Sequence, residues 1–269
     1  MRRIDKVGLE VLISALETEP ALLVEKMNLD SSAVLINQCG KNGEEEIVRN
    51  GKTVRVISRA ERGVGLSRNT ALENAKEEIV LFSDEDIVYD EGYAGKITEA
   101  FEQNKDADLL LFNVRVSEER RTYWNEDRKK ITRMNCGRYP AYSIAARREA
   151  VMSAGVKYSL LFGGGAKYSN GEDSLFLTDC LRKGLRIYAV PVEIGEETYR
   201  ESTWFHGFTE KFFFDRGVLF AFLYRGFAPL WAFRFIYVKK NTKFDEVPKK
   251  KAYKLIRDGI KEGNKLRKC

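Results

Sequence analysis

The chain has 269 residues, 43% of them hydrophobic, with a formal net charge of +6, enough apolar material for one large domain or two small ones. The charge is local: 12 lysines and arginines against 4 acids fall in residues 239–269, so the basicity belongs to a tail and no nucleic-acid partner is expected. The four cysteines, Cys39, Cys136, Cys180 and Cys269, are widely separated; they form no zinc-binding pattern, and a reduced, cytoplasmic compartment is expected, with no secretory signal and no clean membrane span.

In chain order the hydrophobic pattern predicts strands over 7–14, 33–37, 54–58, 79–82 and 108–114, and helices over 21–27, 66–76 and 92–103. Strands separated by helices argue for βαβ units and a mostly parallel, Rossmann-like sheet. No G-x-G-x-x-G follows the first strand, so a dinucleotide site has no support. Residues 117–135 are highly charged and read as a surface excursion. A second ordered block, 139–191, holds a glycine turn at Gly163, Gly164 and Gly165, a helix over about 173–183 closed by Gly184, and a strand over 186–190. Between 217 and 238 aromatic and aliphatic residues dominate, interrupted by Arg225 and Arg234, with Pro229 placed to break a helix. A central arginine is costly in hydrocarbon, so this segment reads as interfacial or partner-packed.

Four features carry chemistry. The run Ile79 to Asp86 is an apolar strand ending in Asp84, Glu85 and Asp86, which delivers carboxylates to a sheet rim, where open α/β folds bind ligands. Hard divalent ions favour such oxygen donors. Just upstream, Arg68 and Asn69 lie in the opening turns of a helix, where an arginine can reach a phosphate. Glu172 and Asp173 follow a glycine at the start of a helix, as capping acids or as a general base. His206 is the chain's one histidine.

The motifs GVGLSRNTALENA (63–75), IVLFSDED (79–86) and FGGGAKYSNGEDSLFL (162–177), in this order, resemble those of the family 2 glycosyltransferases, particularly bacterial enzymes that assemble capsular or exopolysaccharide. The resemblance covers about residues 7–210. It implies a glycosyltransferase A fold, a nucleotide-sugar donor, expected to be a UDP-sugar, and a divalent cofactor, Mn²⁺ or Mg²⁺. On this reading Asp86 coordinates the metal that bridges the donor diphosphate, and Asp84 sits by the ribose in contact with Arg68 or Asn69. Asp173 is the base that deprotonates an acceptor hydroxyl, with Glu172 holding the acceptor or the loop. Gly163, Gly164 and Gly165, with Lys167 and Tyr168, form the acceptor-side loop. Ser14, Ala15 and Glu17 meet the nucleobase, as do Asn37 and Gln38, and Arg59 joins the donor site. Two departures stand out: Asn37-Gln38-Cys39-Gly40 replaces the acidic turn common after the second strand, and the expected histidine near 195–197 is missing. The third metal ligand is then His206, or Glu196 or Glu197 in its place.

The implied organisation is a catalytic domain over 1–210, with a nucleotide-sugar half (1–116) and an acceptor half (117–210), then a helical, aromatic and basic extension over 211–269. The aromatic segment and the basic tail supply two attachment signals and predict peripheral contact with the inner face of the cell membrane. The acceptor is a glycan or a lipid-linked glycan of the cell surface. Two other functions compete: a nucleotidyltransferase, which would show a Gly-rich, Arg-containing phosphate loop directly after the first strand, and a non-catalytic membrane-associated protein.

Overall fold

The computed structural model describes residues 7–198, 207–238, 244 and 246–268. The strands are β1 (Leu9–Leu16), β2 (Ser32–Gln38), β3 (Gly43–Arg49), β4 (Lys52–Arg59), β5 (Ile79–Asp84), β6 (Ile87–Tyr89), β7 (Leu109–Arg115), β8 (Lys129–Lys130), β9 (Ile144–Arg147) and β10 (Ile187–Glu197). The helices are α1 (Pro20–Lys26), α2 (Val64–Asn74), α3 (Tyr93–Gln103), α4 (Arg148–Ala154), α5 (Glu172–Arg182), α6 (Glu210–Tyr224), α7 (Ala228–Tyr237) and α8 (Lys249–Leu266).

One sheet runs through the fold in the order β3-β4-β2-β1-β5-β9-β7-β10-β6, with β8 paired to β10. Strands β4, β2, β1 and β5 are mutually parallel. β1, β2 and β5 are buried on both faces and read as nearly continuous apolar runs, whereas β4 buries Val54, Val56 and Ile57 and leaves its other residues half-buried or exposed. Two apolar clusters, one on each face of the sheet, hold the fold together: Val11, Ile13, Leu35 and Phe101 belong to one, and Leu12, Val34, Phe82 and Phe176 to the other. Register aligns the strand exits, since Ser14 pairs with Asp84, Leu16 with Gln38, and Gln38 with Arg59. All three exits therefore open on the same carboxyl edge, the place where open α/β sheets take ligands.

Four strands go beyond the predicted set, among them the two-residue β8 paired with β10. β9 is inserted antiparallel between β5 and β7, so the second half of the chain supplies a central strand to the first. β3 forms an antiparallel edge hairpin with β4, and β6 pairs antiparallel with the end of β10. The charged segment 117–135 is more than a surface excursion. Tyr123 donates its hydroxyl to the Phe112 carbonyl at 2.8 Å, and buried Asn125 exchanges hydrogen bonds with Asn113 at 2.9 Å, pinning the segment to β7.

The C-terminal segment folds as a helical layer. The Thr209 hydroxyl accepts from Phe212 N at 3.3 Å and caps α6. A 3₁₀ turn at Arg225–Phe227 separates α6 from α7, and Pro229 lies in the first turn of α7, where its missing N–H costs nothing. Helix α8 crosses α6 at backbone contact. A Cβ on Gly217 would stand 2.1 Å from the Ile256 carbonyl oxygen, and one on Gly259 2.1 Å from that of Phe214. The apolar side of α8, with Ala252, Ile256 and Ile260, is buried against α6 and α7, and its lysines and arginines face outward.

Replacing Gly217 by Ala forces the two helices apart. The expected loss is about 1–3 kcal/mol, the usual cost of overpacking, read as a lower urea midpoint with an unchanged m-value.

Candidate active site

A cleft of about 670 Å³ opens at the carboxyl edge of the sheet, between the exits of β1, β2 and β5, the start of α2, the glycine loop and the start of α5. Its floor is organised by Arg68. This side chain is buried, and its guanidinium donates to Asp84 Oδ1 at 2.9 Å, Asp173 Oδ1 at 2.8 Å and Glu172 Oε1 at 3.3 Å. The ring of Tyr158 lies 5.2 Å below it. Acids from β5 and α5, far apart in sequence, thus share one cation. Burial alone would depress the arginine, but Asp173 and Asp84 outweigh it and hold Arg68 well above its ordinary value.

Asp173 receives a second hydrogen bond from Ala141 N at 3.0 Å. Burial pushes its carboxyl up to about 7, with Glu172 and Asp84 adding to the rise and Arg68 opposing it. A carboxyl titrating at neutrality is suited to accept a proton from a bound hydroxyl.

Opposite this pair, Asp86 and Glu197 form the acidic rim. Asp86 is pushed up to about 6 by burial and by Asp84, and its Oδ1 is buried without a hydrogen-bond partner. Glu197 is pushed up to about 7 by burial and then partly restored by Arg120, which donates to it at 2.7 Å. The antiparallel pairing of Glu197 with Ile87, together with the bond from Thr198 N to the Asp86 carbonyl at 2.8 Å, fixes this neighbourhood. Crowded carboxylates with an orphaned buried oxygen are an oxygen donor set of the kind Mg²⁺ and Mn²⁺ prefer. Among the described residues these acids do not converge as a closed metal-binding cluster, so they fit an ion in donor type rather than in a preformed cage.

The cleft is lined by Ser14, Gln38, Arg68, Asp84, Glu85, Asp86, Gly164, Gly165, Glu172 and Asp173 among the sequence-predicted residues. Several of these have structural tasks. Ser14 Oγ accepts from Ser67 Oγ at 2.9 Å, Gln38 Oε1 accepts from Gly63 N at 2.6 Å, and Glu85 Oε2 accepts from Leu16 N at 3.0 Å. The Gly164 carbonyl accepts from Val64 N at 2.9 Å, so the glycine loop is hooked to the start of α2. Gly165 has φ +79°, and a Cβ there would meet the Gly63 backbone at 3.2 Å, so no larger residue fits.

Six predicted residues stand off the cleft. Asn37 spends both ends of its amide on the Thr18 backbone, and Asn69 spends both on that of Tyr158. Glu17 pairs with Arg62, and Arg59 with Glu44 at 3.7 Å. Lys167 reaches Glu262 at 3.9 Å, while Tyr168 is buried in an apolar cluster with Phe162 and Leu219. Of the candidate third ligands, Glu197 lines the cleft and Glu196 turns outward to Arg115 at 3.4 Å. His206 lies outside the described residues. Sequence reasoning passed over Tyr158, Arg120 and the Ala141 amide. The first two sit in segments without a motif, and a backbone donor leaves no trace in a sequence.

The α/β sheet, flanking helices and strand-end cleft match those of glycosyltransferase A structures. Staphylococcus aureus TarS, residues 1–349 in complex with UDP-GlcNAc, superposes with a TM-score of 0.61 at 15% identity, covering 87% of this chain and 74% of that one. The same TarS fragment without a named ligand gives 0.59 at 14% identity, over 95% and 83%. No curated protein matches the chain by sequence. Residues 23–155 match the model of glycosyl transferase family 2 and form a domain of that family, and the protein is a glycosyltransferase.

Arg68→Met leaves three carboxylates facing one another without a cation. Removing one partner of a buried ion pair costs about 3–5 kcal/mol. The loss is expected to be larger at pH 8 than at pH 5.5, where Asp173 is already protonated in the folded protein and loses no charge partner. Urea unfolding at the two pH values measures the difference.

Proposed function

We propose that this protein transfers a sugar from a UDP-sugar to a hydroxyl of a glycan or lipid-linked glycan, with inversion at the anomeric carbon and with help from a divalent ion. The observation that carries the reading is the sharing of Arg68 between Asp84, on the donor side, and Asp173, on the acceptor side. The S. aureus TarS fragment was solved with UDP-GlcNAc and with UDP, which makes uridine the nucleobase to test first.

In this mechanism the donor lies across the exits of β1, β2 and β5. Asp84, Asp86 and Glu197 would hold Mn²⁺ or Mg²⁺, which supplies charge neutralisation for the departing diphosphate. Arg68 keeps Asp84 and Asp173 at a fixed separation. Asp173, its second oxygen steered by Ala141 N, takes the proton from the acceptor hydroxyl. The freed oxygen attacks the anomeric carbon from the face opposite the nucleotide, the bond to the diphosphate oxygen breaks, and UDP leaves. Glu172, tied to Arg68, lines the acceptor side with the glycine loop, and the loop in turn is held by Asp215 of α6, whose carboxylate accepts from Ser169 N at 2.9 Å.

The reading extends to location. Helix α7 exposes Leu230, Phe233 and Tyr237 on one face, with Phe227 and Val238 at its ends, beside the outward lysines of α8. An apolar ridge next to a basic face suits the surface of an anionic bilayer. The run Glu210–Tyr237 is long and apolar enough to cross a membrane by composition, but α6 is packed beneath α8 and only the α7 face is free. Leu230→Glu/Phe233→Glu is expected to abolish sedimentation with phosphatidylglycerol vesicles at low salt and to leave the melting temperature unchanged. Sedimentation equal to that of the unmodified protein would remove the membrane assignment.

Calorimetric titration and thermal shift test the chemistry. UDP is expected to raise the melting temperature only with Mn²⁺ or Mg²⁺ present, and Asp86→Ala removes that shift. Asp173→Asn retains it and lowers turnover by about 10²–10⁴, the range for a lost general base. In the unmodified enzyme kcat/KM rises with pH through a midpoint near 7, because the base acts only as the carboxylate. A pH-independent rate between about pH 5.5 and 8.5 would exclude Asp173 from that role.

A further inference from the structure

A second cavity of about 360 Å³ adjoins the first. The two share Gly137, Arg138 and Ser174 as walls, and Ser174 directly follows the base. Four arginines line the second cavity, Arg133, Arg138, Arg216 and Arg234, and no carboxylate does. None of the four has an ion-pair partner among the described residues, unlike Arg68, Arg115 and Arg182 elsewhere in the fold. The opposite wall is aromatic, with Tyr224 stacked on Trp231 at 4.3 Å between centroids.

Arg216 is the most informative of these residues. It follows Asp215 on α6, and where Asp215 reaches the glycine loop, Arg216 reaches the other side into this cavity. Its Nε is buried without a hydrogen-bond partner, and its guanidinium lies 5.1 Å from the ring of Phe212 and 5.6 Å from that of Phe235. Burial holds it below its ordinary value. A half-buried cation whose Nε is shut off from water and which has no counter-charge gains when a ligand in the cavity supplies the anion. Arginine forks are suited to phosphate oxygens, which they bind in pairs.

We propose that this cavity is the acceptor subsite for a phosphate or diphosphate group, so that the acceptor is a phosphate-bearing glycan or glycolipid. The subsite rests on the glycosyltransferase reading for its role and on its own geometry for its chemistry. An anion held by Arg216, Arg133 and Arg234 sits beside Ser174, which brings the rest of the acceptor past Asp173. Trp231 and Arg234 belong to α7, whose free apolar face begins where the cavity ends. A lipid tail leaving the phosphate therefore has a surface to follow.

The test is calorimetric titration of the full chain in EDTA with inorganic pyrophosphate and with farnesyl diphosphate. Without a cation, the carboxylates of the donor cleft disfavour phosphates, so the signal belongs to the arginines. Saturable binding is expected, weakened about tenfold or more in Arg216→Gln, the loss anticipated for a charge-assisted bidentate contact, and only partly in Arg216→Lys. Should Arg216→Gln fail to fold, Arg133→Gln/Arg234→Gln, at two exposed positions, tests the same point. Tighter binding of farnesyl diphosphate than of pyrophosphate supports a lipid-linked acceptor. Equal binding supports a phosphate carried on a soluble or polymeric glycan. No saturable binding, or binding unchanged in all these variants, overturns the subsite. Binding of UDP with Mg²⁺ in the same variants is the control that reports on the donor reading separately.

Discussion

The site depends on a single buried guanidinium. Arg68 emerges from the second turn of α2 into a space bounded by Asp84, Glu172 and Asp173, and none of these acids could sit so close to the others without it. A buried ion pair is poor evidence for stability, because the desolvation of its charges offsets most of the attraction. Its value here is geometric. The arginine sets the distance between the end of β5 and the start of α5, two elements that also meet through the apolar packing of Phe82 on Phe176. It also opposes the rise of Asp173, whose carboxyl burial pushes up to about 7 with Glu172 and Asp84 adding to it.

The same electrostatics explain why the rim is incomplete on its own. Asp84 pairs with Arg68, and Arg120 pairs with Glu197 and opposes the rise of Asp86. Asp86 and Glu197 are both raised, and an oxygen of Asp86 is buried without a partner. A folded protein retains such crowding where a ligand relieves it. A divalent ion with a diphosphate supplies charges of both signs in one body, which suits a cleft lined by these acids and by Arg62, Arg120 and Arg138.

Much of this was legible in the sequence, for a reason that also marks the limit. β1, β2, β5 and β7 are buried on both faces, so their apolar runs betray them, and the acids that end β5 could only emerge at its rim. β3 is an exposed edge strand carrying three consecutive glutamates, Glu44, Glu45 and Glu46, and nothing in its pattern asks for a partner. β9 is four residues of small and basic character, identified only by the gap it fills. The amides of Asn37 and Asn69 show a different limit. A polar side chain in a motif reads as a ligand contact, yet both are consumed by backbone groups that the chain brings alongside. Glu197 was one of three candidates in sequence, and the pairing of β10 with β6 singles it out among the described ones.

The C-terminal region divides into unlike parts a segment that composition reads as one. The aromatic run and the basic tail suggested one interfacial extension, but the chain divides the run at Arg225 and uses the halves differently. α6 becomes a core helix because Gly217 lets α8 lie against it, and α8 spends its apolar face on that contact. α6 then presents Asp215 to the glycine loop and Arg216 to the second cavity, so the helix that the composition assigns to the extension borders both cavities. Of the three C-terminal helices, α7 is the one with a free apolar face among the described residues. Whatever approaches that face also approaches the arginine cavity. Adding a single residue to α6 ahead of Asp215 would turn that acid toward the place Arg216 holds, and for that reason the close glycine contact with α8, which fixes the rotation of α6, bears on the glycine loop and on the second cavity alike.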